Sequence, residues 1–475
     1  MKIAVLGGGI SGLSALHFLN KAFGDAAEVT LFESQKRVGG WIQSLEARKG
    51  LVIEAGPRSL RPHASTLQLL QDVGILKDAI PANKAAKARY LLIDDKLCNA
   101  PYSKEVLSRV LPALLHERKQ EGPLFGASMD ESVRSFFTRR LSSDVADYVV
   151  DPVVSGIWAA NTEKLSMQAT FGKLRDMERE YGNLTRAVLS RLRQEGRNHD
   201  DAESSTRTAD PIAKGVEQSD QWKMLLKTPI YSFPGGLSHL PNTLYGRYSS
   251  NLQFSNPIEV IENDRNGGVR VNGSHFDYAV SAMPRRSLQA AVSKTVGPQA
   301  FHGFRTASLV VVNVTLEKRY KKNIGRPGFG HLIPSNQGKD ILGVVYDSCV
   351  FPEQDRGNRN TRLTVMMGGD RRPDILSWSD EKVLDVVRSA LKEQLNVDTD
   401  RISDTLIWRH VDAIPQYDIG HLDRVRNLEF HLRSSIPGLS LVGNSFYGVG
   451  VNDCVHRAKS VAEDLSNRAL ALTPK

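Results

Sequence analysis

Three glycines near the N-terminus have a spacing that can bind phosphate. Gly7, Gly9 and Gly12 form G-x-G-x-x-G, and the acidic residue Glu33 follows the last glycine by roughly 20 residues. Such glycines allow a tight turn and let a pyrophosphate approach the N–H groups at the start of a helix. A carboxylate at position 33 can accept a ribose hydroxyl. The pattern predicts a dinucleotide site formed by Gly7, Gly8, Gly9, Ile10, Ser11, Gly12 and Glu33.

The elements around these glycines have the order that such a site requires. Residues 2–6 are a short apolar run, long enough for one buried strand. Leucines recur at helical spacing after the glycines, and residues 28–33 predict a second strand that ends on the acid. The segment is therefore a complete βαβ unit. A glycine-rich turn without a ligand is the alternative, and the complete unit disfavours it.

A second glycine-containing segment, residues 37–41 with sequence RVGGW, follows the acid directly. Two adjacent glycines at this place suggest a loop laid against the ligand, which a nicotinamide site does not need. The pattern E-x-x-x-R-x-G-G resembles the flavoprotein family that contains amine oxidases, phytoene desaturases and protoporphyrinogen oxidases. The resemblance implies that the cofactor is FAD and that Arg37, Gly40 and Trp41 contact it.

Residues 54–62 carry a more specific pattern, E-x-G-P-R-x-x-R-P. Gly and Pro favour a turn of fixed shape, and Arg58 places a cation beside it. This version resembles the protoporphyrinogen oxidases within the flavoprotein family, and the resemblance implies that Gly56, Pro57, Arg58 and Ser59 contact FAD. The alternative is a structural turn whose arginine pairs with a neighbouring acid.

The C-terminal segment 439–465 reads as strand, glycine-rich turn and helix. The start of such a helix favours negative charge, as on a flavin ring near N1 and O2. G-V-x-V-N-D-C after an L-x-G-x-S strand resembles the protoporphyrinogen oxidases closely. By that resemblance Asn444, Val449, Gly450 and Val451 contact FAD, and Ile258, in a strand predicted over 256–261, contacts the adenine through its backbone.

Two residues are substrate candidates by the same resemblance. Arg89 begins a hairpin predicted over 88–97 and would pair with a propionate carboxylate, although a strand-edge arginine is more often solvated. Gly156, in the run SGIWAAN, would lie against the porphyrinogen, although a helix crossing also requires small residues. His410 is a candidate for proton handling, or a structural histidine. Alternating strand patterns at 306–316, 341–347 and 361–367 predict a mixed sheet that forms a wall of the substrate cavity.

Composition limits the class of protein. The chain has 475 residues, 40% hydrophobic and 24% charged, so two or three globular domains are expected. Three widely spaced cysteines exclude a disulfide framework and a cysteine zinc site, and we predict no metal. The net charge of +9 suits an anionic surface or substrate, but no basic run with interleaved aromatics indicates nucleic acid. We expect no spanning helix and no cleavable N-terminal signal.

Two segments differ from the rest in character. The segment 103–141 is rich in helix-forming residues and has apolar positions edged by arginine and lysine, which suits a membrane interface. A helical insert packed on the sheet domain is the alternative. Residues 194–221 contain almost no apolar residues and predict a disordered loop.

The predicted fold class is α/β, with a Rossmann-type FAD-binding domain, a mixed-sheet substrate domain and a helical membrane-binding insert. The FAD domain is predicted over 1–88, 232–300 and 405–475, the substrate domain over 89–102 and 301–404, and the helical domain over 103–190. The chain is identified by resemblance as a member of the oxygen-dependent, FAD-dependent oxidases of haem biosynthesis.

That resemblance implies oxidation of protoporphyrinogen IX to protoporphyrin IX, with molecular oxygen as acceptor and hydrogen peroxide as product. It also implies peripheral attachment to the mitochondrial inner membrane, a homodimer and contact with the neighbouring haem-pathway enzyme. No protein side chain is expected to be catalytic, because the flavin performs the redox step. Three alternatives stay open: a coproporphyrinogen oxidase, an amine oxidase, and a flavin-free escort protein of the same fold that binds lipidated GTPases.

Overall fold

The computed structural model describes residues 1–47, 50–115, 117, 130–182, 219–319 and 324–472. The strands, in chain order, are β1 (Lys2–Leu6), β2 (Glu28–Phe32), β3 (Ser44–Glu46), β4 (Val52–Glu54), β5 (Ile80–Pro81), β6 (Arg89–Ile93), β7 (Lys96–Ala100), β8 (Tyr231–Ser232), β9 (Leu252–Gln253), β10 (Ile261–Asn263), β11 (Val269–Val271), β12 (Ser274–Phe276), β13 (Tyr278–Ser281), β14 (Arg305–Leu316), β15 (Gly330–Leu332), β16 (Ile341–Val345), β17 (Thr361–Gly368), β18 (Ile402–Gln416) and β19 (Leu439–Leu441).

The α-helices alternate with these strands and cluster between β7 and β8. In chain order they are α1 (Ile10–Phe23), α2 (Ala64–Asp72), α3 (Lys104–Leu115), α4 (Val133–Arg140), α5 (Ser143–Val145), α6 (Asp151–Trp158), α7 (Met167–Tyr181), α8 (Asp220–Leu226), α9 (His239–Tyr248), α10 (Arg285–Ala291), α11 (Asp347–Val350), α12 (Asp380–Leu395), α13 (His421–Ser435) and α14 (Val451–Leu472).

A five-stranded parallel sheet carries the glycine motif. Its strand order is β19-β13-β1-β2-β9, with β1 in the middle. Ile3, Ala4, Val5 and Leu6 are fully buried, because a central parallel strand is covered on both faces. Helix α1 packs along α14 over this sheet. The predicted βαβ unit is confirmed, and the glycines lie at the carboxyl ends of the strands, where α/β sheets bind ligands.

A seven-stranded mixed sheet, in the order β18-β14-β17-β16-β15-β6-β7, forms the second layer. Leu363, Val365 and Met367 of β17 pack with residues of α12 in one buried cluster. Side chains alternate along a strand, so Thr364 and Met366 lie on the opposite face. That face is turned toward the end of β4, since Asn313 Nδ2 donates to the carbonyl of Glu54 at 3.1 Å. The predicted mixed sheet and the hairpin formed by β6 and β7 are both present.

Three predictions need correction: one domain limit, the end of the predicted loop, and the strand predicted over 256–261. The predicted domain limit at residue 404 falls inside β18, which pairs with β14 from residue 402 to 416, so residues 405–416 belong to the second sheet. The predicted disordered loop 194–221 lies outside the described residues up to 218, but α8 begins at Asp220 because the Ser219 hydroxyl caps it. Residues 254–260 form no strand.

The physical reason for the missing strand is the side chain of Asn272. Its amide accepts from the N–H groups of Glu259 and Val260 and donates to the carbonyl of Pro257. These backbone groups are therefore satisfied without a neighbouring strand.

The helical region between β7 and β8 contains α3 to α8 in its described part. Phe136, Phe137, Trp158 and Met167 share one buried cluster, so α4, α6 and α7 pack as a unit. Across the described ranges of the chain, the helices lack the combination of length and apolar character needed to cross a bilayer.

Candidate active site

The first part of the site is the turn between β1 and α1. Gly9 precedes the helix and provides no side-chain cap, so the N–H groups of the first turn are open to an external acceptor. A Cβ on Gly12 would lie 1.8 Å from the carbonyl oxygen of Gly7, which shows how closely the helix approaches the strand. The turn therefore has the geometry of a phosphate-binding cradle.

The acid predicted to bind ribose lies at the mouth of this turn. The Glu33 carboxylate is buried and accepts from Gly8 N at 2.6 Å and from Gln35 N at 2.7 Å. Each carboxylate oxygen can accept more than one hydrogen bond, so a ligand hydroxyl can still bind there. Glu33 is thus held in place by the backbone of the glycine turn itself.

The loop 37–41 lies directly on the glycine turn. Gly39 N donates to the Gly8 carbonyl at 2.9 Å, and a Cβ on Gly40 would lie 3.2 Å from Gly9 Cα. The Arg37 guanidinium donates to the carbonyls of Val38 and Gly40. Arg37 thus stabilises the loop that carries Gly40 and Trp41.

The turn 56–59 contacts this loop. A Cβ on Gly56 would lie 2.0 Å from the Trp41 carbonyl oxygen, and Pro57 and Ser59 are half-buried in the same turn. The Arg58 guanidinium is paired with Asp347, with Nη1 2.9 Å from Oδ1. The acid partner considered as the alternative for Arg58 is therefore present, and it comes from the second sheet layer.

The C-terminal turn brings a second helix start to the same place. Gly443 lies against Ser11, since a Cβ on Gly443 would be 3.7 Å from Ser11 Oγ. Asn452, in the first turn of α14, donates to the carbonyl of Arg61 at 2.9 Å. The segments that contain residues 7–12, 37–41, 56–59 and 444–451 therefore surround one site, with the N-termini of α1 and α14 side by side.

The predicted contacts in this C-terminal turn have distinct neighbours. The Asn444 carbonyl accepts a hydrogen bond from Tyr417, and Gly450 N donates to Asp453 Oδ2 at 3.0 Å. Val449 packs against the helical cluster, whereas Val451 packs against the core under α1. Burial raises the pKa of the Asp453 carboxyl.

The buried carboxyl of Glu54 lies next to the turn 56–59. Glu54 accepts from Leu237 N and Ser44 Oγ, each at 2.7 Å, and burial raises its pKa to about 7. His410 Nε2 donates to the Ala55 carbonyl at 2.8 Å, and burial lowers the pKa of His410. This geometry favours the structural alternative for His410 over proton handling.

Ile258 lies in the irregular segment 254–260, half-buried against the cluster that includes Phe32. Asn256 N donates to the Glu33 carbonyl at 3.0 Å, so this segment runs beside the ribose-binding acid although it is not a strand. Its place at the edge of the site agrees with an adenine contact, which stays a prediction.

Arg89 lies at the start of β6, with its guanidinium 5.6 Å from the ring centre of Phe329. The side chain reaches solvent, yet partial burial and the nearby positive charge of Arg61 lower its pKa. No carboxylate in the described part of the chain offsets the charge of Arg89. Arg61 belongs to the same 54–62 motif as Arg58.

Gly156 lies in α6 against β15. A Cβ there would be 2.7 Å from Leu332 Cδ2, so close packing by itself requires a small residue. Its assignment as a substrate contact rests on the resemblance alone.

Sequence reasoning missed Asp347, Tyr417 and His421 as supports of the site. Each acts through a partner far away in the chain, so no local spacing signals it. Glu54 and Arg61, in contrast, lie within the motif at 54–62. The spacing of the charged residues in that motif is a signal from which both could be predicted to lie at the site.

Comparison with known proteins defines the class. The family of flavin containing amine oxidoreductases matches residues 10–466, and the chain belongs to that family. It is an FAD-dependent oxidase, and FAD is its cofactor. The observed cradle, acid and paired helix starts fit this cofactor, and the predicted resemblance is confirmed.

Within the family, the chain is similar to proteins named protoporphyrinogen oxidase. It is 30% identical to the human protein and 31% identical to the Bos taurus protein, each over 97% of both chains. The Bacillus subtilis coproporphyrinogen III oxidase is 26% identical over 97% of both chains. A crystal structure from Exiguobacterium sp. 255-15, provisionally named protoporphyrinogen oxidase, has the same fold, with a TM-score of 0.79 at 21% identity over 98% of this chain and 99% of that one.

Proposed function

We propose that this protein oxidises protoporphyrinogen IX to protoporphyrin IX and passes the electrons to molecular oxygen, which leaves as hydrogen peroxide. The observation that carries this proposal is the similarity to protoporphyrinogen oxidases along nearly the whole of both chains. When bound, FAD would supply two-electron oxidation, so the loss of six hydrogens would take three rounds and three molecules of oxygen. The side chains bind, orient and shield the reactants.

For the cofactor, we propose that the glycine turn and the start of α1 hold the pyrophosphate while Glu33 accepts a ribose hydroxyl. The loop 40–41, the turn 56–59 and the residues 449–451 would then border the ring system. The short contacts between these segments support this arrangement. We further propose a discontinuous cofactor domain, with the substrate domain extended to the end of β18.

For the substrate, the open face of the seven-stranded sheet offers an apolar wall. Met366 and Ile414 are only partly buried there and pack with Leu309 and Leu342, while Phe329 adds an aromatic surface. A tetrapyrrole macrocycle is large and mostly apolar, whereas its carboxylate substituents need cations. Arg89 lies near Arg61, and no carboxylate among the residues that the structure describes offsets its charge, so it suits that requirement.

The coproporphyrinogen alternative differs only in the side chains of the macrocycle, and the same cofactor segments serve both substrates. The amine oxidase alternative has less support in the C-terminal turn. Its two aromatic residues are engaged within the protein: Phe446 is buried against Phe304, and the Tyr447 hydroxyl hydrogen-bonds Glu429. They therefore form no cage around an amine at this turn.

The experiment is a visible spectrum of the purified protein, followed by porphyrin fluorescence in air. Flavin absorption, together with porphyrin formation from protoporphyrinogen IX well above autoxidation, is expected. Faster turnover of coproporphyrinogen would favour that alternative. Oxidation of amines alone would refute the proposal, and a protein that binds no flavin after reconstitution would indicate an escort-type role.

We also propose that α3 attaches the protein to a membrane surface. Tyr102, Leu107, Leu111 and Leu115 are exposed, with Leu115 at 72%, and Lys104 and Arg109 lie among them. This arrangement suits interfacial rather than spanning attachment. Placement at the mitochondrial inner membrane, a homodimer and contact with the neighbouring haem-pathway enzyme stay predictions that rest on the resemblance.

A further inference from the structure

Tyr417 connects the two ends of the C-terminal glycine turn. Its hydroxyl donates to the Asn444 carbonyl at 2.5 Å and accepts from Gly448 N at 2.7 Å. The side chain is 2% exposed, and burial raises its pKa, so the hydroxyl keeps its proton. One buried side chain therefore binds the carbonyl of the first residue of the turn 444–450 and an N–H near its end.

His421 holds the middle of the same turn. Its ring stacks on Tyr417 with 3.9 Å between the ring centres, and its Nε2 donates to the Phe446 carbonyl at 2.9 Å. Burial lowers the pKa of His421 to about 4, which keeps the ring neutral. The stacked pair thus binds backbone groups of residues 444, 446 and 448.

The turn needs such support because its backbone is unusual. Gly448 has a φ of +128°, and a Cβ there would lie 2.4 Å from Asp453 Cβ. A backbone with such a positive φ is sparsely populated, so contacts with the surrounding structure must hold it in place. Phe446 and Tyr447 lie on the protein side of the turn, so the other side can face the cofactor.

Tyr417 also joins this turn to two other parts of the fold. It follows β18 directly, its carbonyl accepts from Ser166 N at 2.8 Å, and it belongs to the buried cluster of the helical region. Val449, a proposed flavin neighbour, packs against that same cluster. A movement of the helical region would therefore displace the turn 444–450 through the contacts of Tyr417.

We propose that Tyr417, supported by the stacked His421, is a positioning residue that sets the place of the turn 444–450 against the flavin. The inference rests on the proposed placement of FAD at this turn. Removal of the hydroxyl leaves a half-buried carbonyl on Asn444 and a half-buried N–H on Gly448 without their protein partner. The loss of a hydrogen-bond partner costs free energy to the extent that water cannot replace it.

The test uses Tyr417→Phe, which keeps the stacked ring and removes only the hydroxyl. The matched control is Tyr346→Phe, since the Tyr346 hydroxyl is also buried and lies 3.0 Å from His331 Nδ1 in the core on the α12 side of the second sheet. We expect Tyr417→Phe to raise the dissociation constant for FAD about tenfold or more and to shift the visible spectrum of the bound flavin. Tyr346→Phe should change neither value.

A second variant covers the case in which Tyr417→Phe does not fold. His421→Phe keeps the stacking and removes only the partner of the Phe446 carbonyl, so it should shift the flavin spectrum in the same direction by less. In the double variant the two effects should be less than additive, because both act through one turn.

The inference is overturned if Tyr417→Phe and His421→Phe bind FAD within twofold of the parent with an unchanged spectrum, or if Tyr346→Phe has the same effect. Gly448→Ala separates a failure of the Tyr417 role from a failure of the proposed FAD placement, because it disturbs the turn 444–450 directly. If Gly448→Ala alone weakens FAD binding, the positioning role fails and the proposed FAD placement stands. If none of these variants matters, the placement itself fails.

Discussion

Arg58 and Asp347 form an ion pair across the boundary between the two sheets, with 2.9 Å between Nη1 and Oδ1 and side chains only 12% and 11% exposed. Asp347 also accepts from Thr364 Oγ1 at 2.7 Å, so its carboxylate is fixed by β17. The turn that we place beside the flavin is therefore tied to the wall that we place beside the substrate.

Asp347→Asn should weaken both stability and FAD binding. Loss of one partner from a buried ion pair leaves the other charge uncompensated, at a cost of about 3–5 kcal/mol in the free energy of unfolding. The matched control is Asp355→Asn, which breaks the nearby pair with Arg362 but no contact of the turn 56–59. FAD titration and thermal unfolding of both variants make the comparison. Equal loss of FAD affinity in both would contradict a specific role for Asp347.

Glu54 should make stability depend on pH. Burial raises its pKa from 4.5 to about 7, so between these values the folded protein holds a proton that the unfolded chain has released. The free energy of unfolding should therefore fall by about 3 kcal/mol as the pH rises through this window, and level off above it. Glu54→Gln should lack this contribution.

Denaturant unfolding of the FAD-saturated protein at pH 5 and pH 8 measures the effect. Glu46→Gln is the control, since Glu46 lies in the neighbouring strand β3 with an exposed side chain paired to Arg356. A Glu54→Gln variant with the same pH dependence as the parent would show that this carboxyl does not stay protonated in the folded state.

Arg89→Ala should weaken substrate binding and leave FAD bound. A hydrogen bond between an arginine and a carboxylate contributes about 1.5–3 kcal/mol, which corresponds to a rise of about tenfold to a hundredfold in KM. Steady-state kinetics with protoporphyrinogen IX and the flavin content of the purified variant give the two readouts. Arg388→Ala, on α12 at the opposite face of the sheet, is the control. An unchanged KM for Arg89→Ala would remove this residue from the substrate site.

Leu111→Glu should reduce attachment to anionic vesicles. Leu111 is 53% exposed on α3, and burial of a leucine side chain contributes about 1.5–3 kcal/mol. Vesicle flotation at low and high salt separates the apolar contribution from the charge contribution. Ser389→Glu, on the exposed side of α12, adds the same charge elsewhere. A parent protein that does not float with anionic vesicles would count against attachment through α3.

The N-terminal βαβ unit and the cofactor class could be predicted from sequence because they depend on neighbours in the chain. Strand periodicity, glycine spacing and the place of Glu33 all lie within the first forty residues, and the structure places them as expected. The hairpin of β6 and β7 and the mixed sheet followed from alternation for the same reason. The strand predicted over 256–261 is wrong because the side chain of Asn272, 12 to 15 positions further along the chain, satisfies the backbone groups of this segment.

By itself, the sequence determined the N-terminal βαβ unit and its glycine turn, because local periodicity and glycine spacing record the conformations that those segments need. The family and the cofactor followed from the resemblance of its motifs. Only the tertiary structure decided that Arg58 pairs with Asp347, that Arg61 lies near Arg89, and that Tyr417 supports the turn beside Gly448. Arg58 and Asp347 are 289 positions apart. Contacts over such separations depend on how the two sheets pack, and the packing leaves no periodic pattern in the chain.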